Sequence, residues 1–398
     1  MKILQVNTVY GKGSTGKIAL GIHDVCIQKN IQCVTAYRYV ENKAVSYADT
    51  DVVSSWLDCH VHNRLVRYTL LQGMFSRFKT ITFLRRVKKY SPDLIHLHNL
   101  HGNYINLKLL FRYIKKNNIP VIWTLHDCWA FTGHCPHFTM ARCDKWKKAC
   151  YNCPQYKSVG DPIKNMYRLK QSLFTGLEDM TIVTPSQWLA NLVKESYLKE
   201  YPVQVINNGI DLEVFKPTPS EFRYVYKIPE SKYILLGVAF GWGKSKGLDV
   251  FVELSRCLER EKYQIVLVGT DENVDKQLPE NIISIHCTNN QQQLAEIYTV
   301  ADLFLNPTRE DNYPTVNMEA IACGTPVLTF RTGGSPEIID KTCGVVVDCD
   351  DINAMKQEVV RICVEKPYSL DACLNRAKNF EMNDKFKEYV KLYEKKQN

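Results

Sequence analysis

The stretch "YILLGVAFGWGKSKGLDVF", residues 233–251, decides the fold. An apolar run without polar alternation, a glycine-rich turn and then helical spacing describe a buried parallel strand feeding a helix. The same unit recurs after it. "YQIVLVG", "IISIHC", "LFLNPT", "PVLTF" and "GVVVD" are further apolar runs, and helical patterns occupy 247–260, 290–300, 314–323 and 351–365. The first half alternates likewise: "KILQVNTV", a helical pattern over 17–30, "CVTAYR", a basic segment, "DLIHLHN", a pattern over 104–117 and "VIWTLHD". Apolar strands separated by helices imply parallel sheets covered on both faces. Two such blocks imply an α/β chain of two facing, Rossmann-like doubly wound domains with a cleft between them. The Asn-, Gly- and Pro-rich "VINNGIDLEVFKPTPSEF", 205–222, marks the junction. The expected organisation is a first domain over 1–205 with a Cys-rich insert at 128–156, a second over 206–375, and a charged C-terminal helix, 376–398, packing back on the first.

At 398 residues the chain exceeds one ordinary core. No apolar run approaches the roughly 20 residues needed to span a bilayer, and "MKILQVNTVYGKG" turns polar and Gly-rich too early for a signal peptide. There are fifteen cysteines, an odd number. Cys257, Cys323 and Cys363 fall in apolar helical patterns, where a thiol is a small hydrophobe. A reducing cytosol without a disulfide framework is therefore expected. The formal charge of +9 is uneven: residues 62–92 carry Arg64, Arg67, Arg77, Lys79, Arg85, Arg86, Lys88 and Lys89, and no acid. Leu65, Leu70, Leu71, Phe75, Phe78, Phe83 and Leu84 are interleaved. Such a segment suits an anionic membrane surface. A nucleic-acid partner is not expected, since no recognised binding module accompanies the charge.

In open parallel sheets, ligands bind beyond the carboxyl ends of the strands. "GKGSTGKIA", 11–19, follows the first strand and half-matches two phosphate motifs. The dinucleotide fingerprint lacks its acid after the second strand, where Arg38 stands, and the phosphate loop GxxxxGK[ST] has Ile18 in place of its hydroxyl. What remains at Gly13, Ser14, Thr15 and Gly16 is a turn whose backbone N–H groups suit an anionic or polyhydroxyl ligand. In "GWGKSKG", Gly243, Lys244 and Lys246 combine backbone amides, a helix start and two ammonium groups, a cradle for a diphosphate. His126 closes "VIWTLHD", and Asp127 is placed either to orient its ring or to cap the next turn. In "TREDNYPTVNMEAIACGTPV", 308–327, Glu310 and Asp311 precede a helix opened by Pro314 and Thr315, with Pro314 at the first helical position. Glu319 lies about a turn and a half inside; helical side chains lean toward the N-terminus, so it is expected at the same mouth. Asp348 and Asp350 precede a helix and read as caps. Cys135, Cys143, Cys150 and Cys153 have gaps of seven, six and two residues, ending in a CxxC zinc half-site. Four thiolates would make a structural zinc site, with His134 or His137 as a substitute for one cysteine; unpaired thiols or a reversible disulfide are the alternatives.

Together these residues resemble the family 4 retaining glycosyltransferases of GT-B fold, over nearly the whole chain. "EDNYPTVNMEAIACGTPV", "RTGGSPEII", "KGLDVF", "VINNGIDLEVFKP" and "TPSQWLANLV" carry the resemblance, and "HDCWAFTGHC" with "CDKWKKACYNCPQ" is similar to a bacterial subgroup that assembles capsule, O-antigen or other exopolysaccharide. The resemblance implies a hexosyltransferase using a UDP- or GDP-linked sugar and a lipid-linked (polyprenyl) or oligosaccharide acceptor, with no cofactor or metal needed for catalysis. Its paired acids, separated by seven residues, map onto Asp311 and Glu319. By that mapping Glu319 would accept from the ribose hydroxyls, and Asp311, beside Glu310, from the sugar. Lys246 with Lys244 would neutralise the diphosphate, His126 would contact the transferring sugar, and the 13–16 turn would lie over phosphates or acceptor. A cytoplasmic enzyme, peripheral at the inner face of the cell membrane, is implied. A non-catalytic nucleotide-sugar-binding subunit and a sugar-nucleotide epimerase on the same fold are the alternatives.

Overall fold

The computed structural model describes residues 1–39, 49–156 and 161–397. The chain divides into two units: 1–207 with 383–398, and 208–382.

The first unit is built on β1 (Lys2–Val6), β2 (Gln32–Tyr37), β3 (Thr50–Val52), β4 (Leu94–Leu97), β5 (Val121–Thr124), β6 (Met180–Thr184) and β7 (Val203–Val205). They form one parallel sheet in the order β3-β2-β1-β4-β5-β6-β7. In the second unit β8 (Tyr233–Val238), β9 (Tyr263–Val268), β10 (Ile282–Ile285), β11 (Leu303–Asn306), β12 (Val327–Phe330) and β13 (Gly344–Val347) form a parallel sheet in the order β10-β9-β8-β11-β12-β13. In each sheet the chain grows one way from its first strand and then the other. The switch lies between β1 and β4, and between β8 and β11.

Alternate strand residues explain why these runs are apolar throughout. Ile234 and Leu236 pack into one core of the second unit and Leu235 into the other; Phe304 and its neighbours Leu303 and Leu305 divide the same way. Side chains on a strand point alternately to opposite faces, and helices cover both. Each fully buried leucine is worth about 1.5–3 kcal/mol by removal from water.

The chain returns to the first unit through the helix Met382–Gln397. Phe386 closes on Gly21, where even a Cβ would meet its ring at 2.0 Å. Tyr393 Oη lies 2.6 Å from His96 Nδ1, and Lys396 pairs with Asp179. Residues 376–381, expected in this helix, stay with the second unit. There Arg376 donates to Ile338 O and Glu337 O at 2.8 and 2.7 Å, and Phe380 is core. Burial of Phe380 outweighs continuation of the charged pattern.

The basic segment forms two helices, Trp56–Thr69 and Arg77–Tyr90. Cys59, His62 and Val66 face inward from one, and Thr80, Phe83 and Val87 from the other. Phe83, expected among the interfacial residues, is thus core, while Leu65 and Phe78 are exposed, Phe78 by 87 %. Trp56, Leu57, Val61, Tyr68 and Ile81 are exposed too, among eight exposed basic residues. Arg86 finds its acid outside the segment, at Asp51, 2.9 Å away. No helix among the described residues is long and apolar enough to cross a membrane.

Candidate active site

In the second unit the turn after β8 and the loop after β11 flank the switch point. Lys244–Lys246 form one 3-10 turn, and Gly247, at φ +75°, hands the chain to the helix Leu248–Cys257. A Cβ at Gly247 would meet Pro307 O at 2.4 Å, so glycine lets this turn press on the end of β11. The result is a direct ion pair: Lys246 Nζ lies 2.7 Å from Asp311 Oδ2 and 3.3 Å from Glu310 O. Both side chains are partly exposed, Lys246 by 32 % and Asp311 by 24 %, so the pair can be reached and exchanged by a ligand.

Arg309, which the sequence reading passed over, locks the two segments together. Its side chain is only 9 % exposed. It grips Asp249 with two bonds of 2.7 and 2.9 Å, Asp350 with one of 2.5 Å, and the carbonyl of Lys244 with another of 2.5 Å. Its own N–H donates to Ser245 O at 2.8 Å. Burial opposes ionisation of Asp249, but the hydrogen bonds and charge of Arg309 outweigh it and lower that carboxyl's pKa. Asp350 is therefore an anchor for Arg309, and Asp351, not Asp348 or Asp350, caps the helix Ile352–Glu365. The signal in the sequence was an arginine inside an otherwise acidic "TRED", which periodicity does not weigh.

The helix after this loop is Thr315–Ala322, with Pro314 at its N-cap and not at its first turn. Proline has no side-chain acceptor, so the N-cap residue itself does not cap this helix start. Gly333, at φ +56°, lies so close to Asp311 that a Cβ would meet Asp311 O at 1.7 Å, and Gly334 N donates to Asn312 O at 3.1 Å. Thr332 Oγ1, Ser335 Oγ and Asn317 Nδ2 are buried with no partner among the described residues. Unpaired buried polar atoms are costly, and here three lie on the helix and the glycine turn packed against the Asp311 loop. Glu319 accepts from Tyr298 Oη at 3.1 Å, across to the neighbouring helix Gln291–Val300. Glu310, Asp311 and Lys246 are thus brought together, with Lys244 and Gly243 in the same turn and Pro314 and Thr315 next along the chain; Glu319 has its hydrogen bond on another helix.

In the first unit, the helix Gly13–Gln28 begins at Gly13, so Gly13, Ser14, Thr15 and Gly16 are its first turn and not a loop before it. Its N-cap residue, Lys12, makes no side-chain cap. His98 after β4 and His126 after β5 continue the same carboxyl edge. Asp127 pairs with His101 at 2.8 Å and accepts from Trp129 N–H at 2.8 Å, and its charge also reaches His126. Burial would raise the Asp127 pKa, but His101 and the Trp129 N–H bring it below the ordinary value. His126 Nε2 lies 3.1 Å from His98 Nδ1, and His98 Nε2 lies 3.0 Å from Gln5 Oε1.

This row fixes proton positions. The Gln5 amide nitrogen is committed to Ala19 O at 3.0 Å and Thr35 Oγ1 at 3.2 Å, so its oxygen faces His98. His98 Nε2 must then carry a proton, its Nδ1 accepts, and His126 donates from Nε2, leaving Nδ1 of His126 as the acceptor nitrogen. Burial holds His126 neutral, lowering its pKa to about 4; His98 is well below the ordinary value, from burial and then from its histidine neighbours. His96, whose ring centre is 4.0 Å from that of His98, is lowered to about 3 by burial. Neither Gln5 nor His98 was read from the sequence, though the alternation in "DLIHLHN" sets His96 and His98 on one face.

Cys135, Cys143, Cys150 and Cys153 line a cavity of their own in the first unit. Burial pushes Cys150 up to about 11 and Cys135 higher still, so neither thiol is a nucleophile near neutrality. His134 is buried with its ring against Tyr156, and neither His134 nor His137 lines the cavity.

Residues 46–214 match the domain family described as Glycosyltransferase Family 4, and residues 232–364 match Glycosyl transferases group 1. A protein of Escherichia coli (strain K12), named as the colanic acid biosynthesis glycosyl transferase WcaC, is 24 % identical over 383 residues, covering 90 % of each chain. Among solved structures, sucrose-phosphate synthase from Thermosynechococcus elongatus superposes with a TM-score of 0.74 at 15 % identity, over 99 % of this chain and 98 % of that one. Anabaena HepE, solved in complex with UDP-glucose, gives 0.66 at 14 % identity, over 98 % and 99 %.

Proposed function

Since the chain belongs to the family 4 glycosyltransferases and has the GT-B fold, we propose that it moves a hexosyl unit from a UDP- or GDP-linked sugar, with retention at the anomeric carbon, to a lipid-linked or oligosaccharide acceptor in surface polysaccharide assembly. The observation that carries this reading is the exchangeable Lys246–Asp311 pair beside a helix start whose N-cap residue, Pro314, supplies no side-chain acceptor, at the switch point. A donor diphosphate would take Lys246 from Asp311, with Lys244 adding charge. In transfer the acceptor oxygen bonds to the anomeric carbon and the bond to the diphosphate oxygen breaks. The diphosphate leaves with the electron pair, and the acceptor's proton passes to it on the same face. The growing negative charge on the leaving group is what two lysines and backbone N–H groups stabilise, so turnover without a divalent metal is expected.

Glu319 is assigned to the ribose hydroxyls, Glu310 and Asp311 to the sugar, and His126 to a contact with the transferring sugar. The Gly13–Gly16 turn is assigned to phosphates or acceptor. HepE's complex with UDP-glucose supports a nucleotide-sugar of that class, and the colanic acid relative supports an exopolysaccharide product. The exposed aromatic and basic face of the helices Trp56–Thr69 and Arg77–Tyr90 supports peripheral docking on anionic lipid, where a lipid-linked acceptor resides.

The test is a panel of UDP- and GDP-sugars incubated with the protein in chelator, with slow donor hydrolysis read by NMR at the anomeric proton. One donor should be consumed, and the first-formed product should keep the donor's anomeric configuration. Binding without turnover would favour a non-catalytic subunit, and no nucleotide binding at all would sink the proposal. Failure to co-sediment with anionic vesicles at low salt would remove the membrane part alone.

A further inference from the structure

The insert at 128–156 contains only two short 3-10 turns, Trp129–Phe131 and Lys145–Lys147, so repetitive hydrogen bonding does not hold it. Loops of this length without their own secondary structure need another constraint. Four cysteines, separated in sequence, converge on one small cavity of about 20 Å³, walled otherwise by such groups as Thr132, Phe138, Lys145 and Trp146. Cys135 and Cys150 are buried, and Cys143 and Cys153 half-buried. Cys135 and Cys153 meet side chain to side chain. Cys150 Sγ accepts the Gly133 N–H at 3.1 Å, the bond that steadies a metal-bound thiolate. We propose that Cys135, Cys143, Cys150 and Cys153 bind one zinc ion as a closed structural site that fixes this loop.

Pairing Cys135 with Cys153 as a disulfide would leave Cys143 and Cys150 at the same cavity unexplained. Tetrahedral zinc uses all four, at about 2.3 Å from each sulfur. Among the described residues no three or more ligating side chains are already drawn into a cage, so the thiols must turn from the cavity wall toward its centre. Binding converts four thiols to thiolates: one Zn²⁺ enters, four protons leave, and the site carries two negative charges.

A buried lysine lies in the same part of the first unit, and burial lowers its pKa to about 7. Lys170, on the helix Pro162–Phe174, is fully buried. Its ammonium donates to Trp129 O and lies 3.6 Å from the centre of the Trp129 ring. Cys150, Asp127 and Cys135 lie within its electrostatic reach. A buried ammonium is costly without opposite charge, and a tetrathiolate zinc site supplies what one carboxylate shared with His101 does not.

Protein purified without chelator or metal-affinity resin should contain about one zinc per chain by elemental analysis. An organomercurial should release it, and cobalt replacement should give the absorption of a tetrahedral thiolate complex. Cys143→Ser and Cys153→Ser should each abolish stoichiometric zinc, while Cys349→Ser, at an exposed thiol elsewhere, should keep it. Lys170→Met should weaken zinc affinity about tenfold, the lower end for loss of an outer-shell partner. Wild-type protein that takes up no zinc from reducing buffer, or that carries a Cys135–Cys153 disulfide and no metal, overturns the proposal whether or not the variants fold.

Discussion

Lys246 Nζ sits 2.7 Å from Asp311 Oδ2, a cation held by the loop that would also meet the donor sugar. Truncation to Lys246→Ala should lower kcat by about a hundredfold or more, in line with loss of one group aimed at developing charge. Dissociation of the intact nucleotide-sugar should change far less, because the missing interaction grows only in the transition state. Single-turnover rates and calorimetric Kd values separate the two. Near-normal turnover in the variant would remove Lys246 from the mechanism.

The same pair predicts that Asp311→Asn and Glu310→Gln behave differently. Asp311 competes with a diphosphate for Lys246, so Asp311→Asn should bind free UDP or GDP several-fold more tightly while turning over more slowly. Glu310→Gln leaves the ion pair in place and should change the preference among donor sugars, with nucleoside diphosphate affinity unaltered. Equal nucleotide affinity in the Asp311→Asn variant and wild type would show that the pair opens without cost to the ligand.

Arg309 should matter for structure first and rate second. Arg309→Lys keeps the charge but cannot hold Asp249, Asp350 and the Lys244 carbonyl together with one ammonium. A loss of about 2 kcal/mol is expected, the scale of one or two charge-assisted hydrogen bonds. KM for the donor should rise because the Lys244–Lys246 turn loses its tether. Urea titration and initial rates on the same preparation test both, and an unchanged KM in a destabilised variant would confine Arg309 to the fold.

Much of this architecture was legible because parallel strands advertise themselves. β8, β9, β11 and β12 are continuous apolar runs, buried on both faces, and their following turns carry the glycines and lysines of the site. The strands not read were β3 and β7, three residues each at the sheet edges and only partly buried, and β6, whose "MTIVT" follows the irregular insert. The site was read as residue types on loops, and that logic finds Lys246 and Asp311. It does not find Arg309, Gln5 or His98, whose roles arise from pairings across 28 to 93 residues of sequence. Nor does it find that Glu319 shares a hydrogen bond with Tyr298, a contact between two helices.

The histidine row makes stability depend on pH in a defined direction. His126 is lowered to about 4 and His96 to about 3, and His98 lies well below its ordinary value, all chiefly by burial. In the unfolded chain each returns to about 6.5. Between these limits the unfolded state binds more protons than the folded one, so stability is fully present above about pH 6.5 and falls as pH drops toward 4. Each histidine contributes a slope of about 1.4 kcal/mol per pH unit within its window. Urea midpoints at pH 7.5, 6.5, 5.5 and 5.0, followed by fluorescence of the buried Trp123 and its neighbours, should hold steady over the first step and then decline steeply. In NMR the His126 ring should remain neutral at pH 6, with its proton on Nε2. A flat midpoint from pH 7.5 to 5.0 would mean that these rings are protonated or solvated in the folded protein, and the assignment of His126 Nδ1 as the acceptor would fall with it.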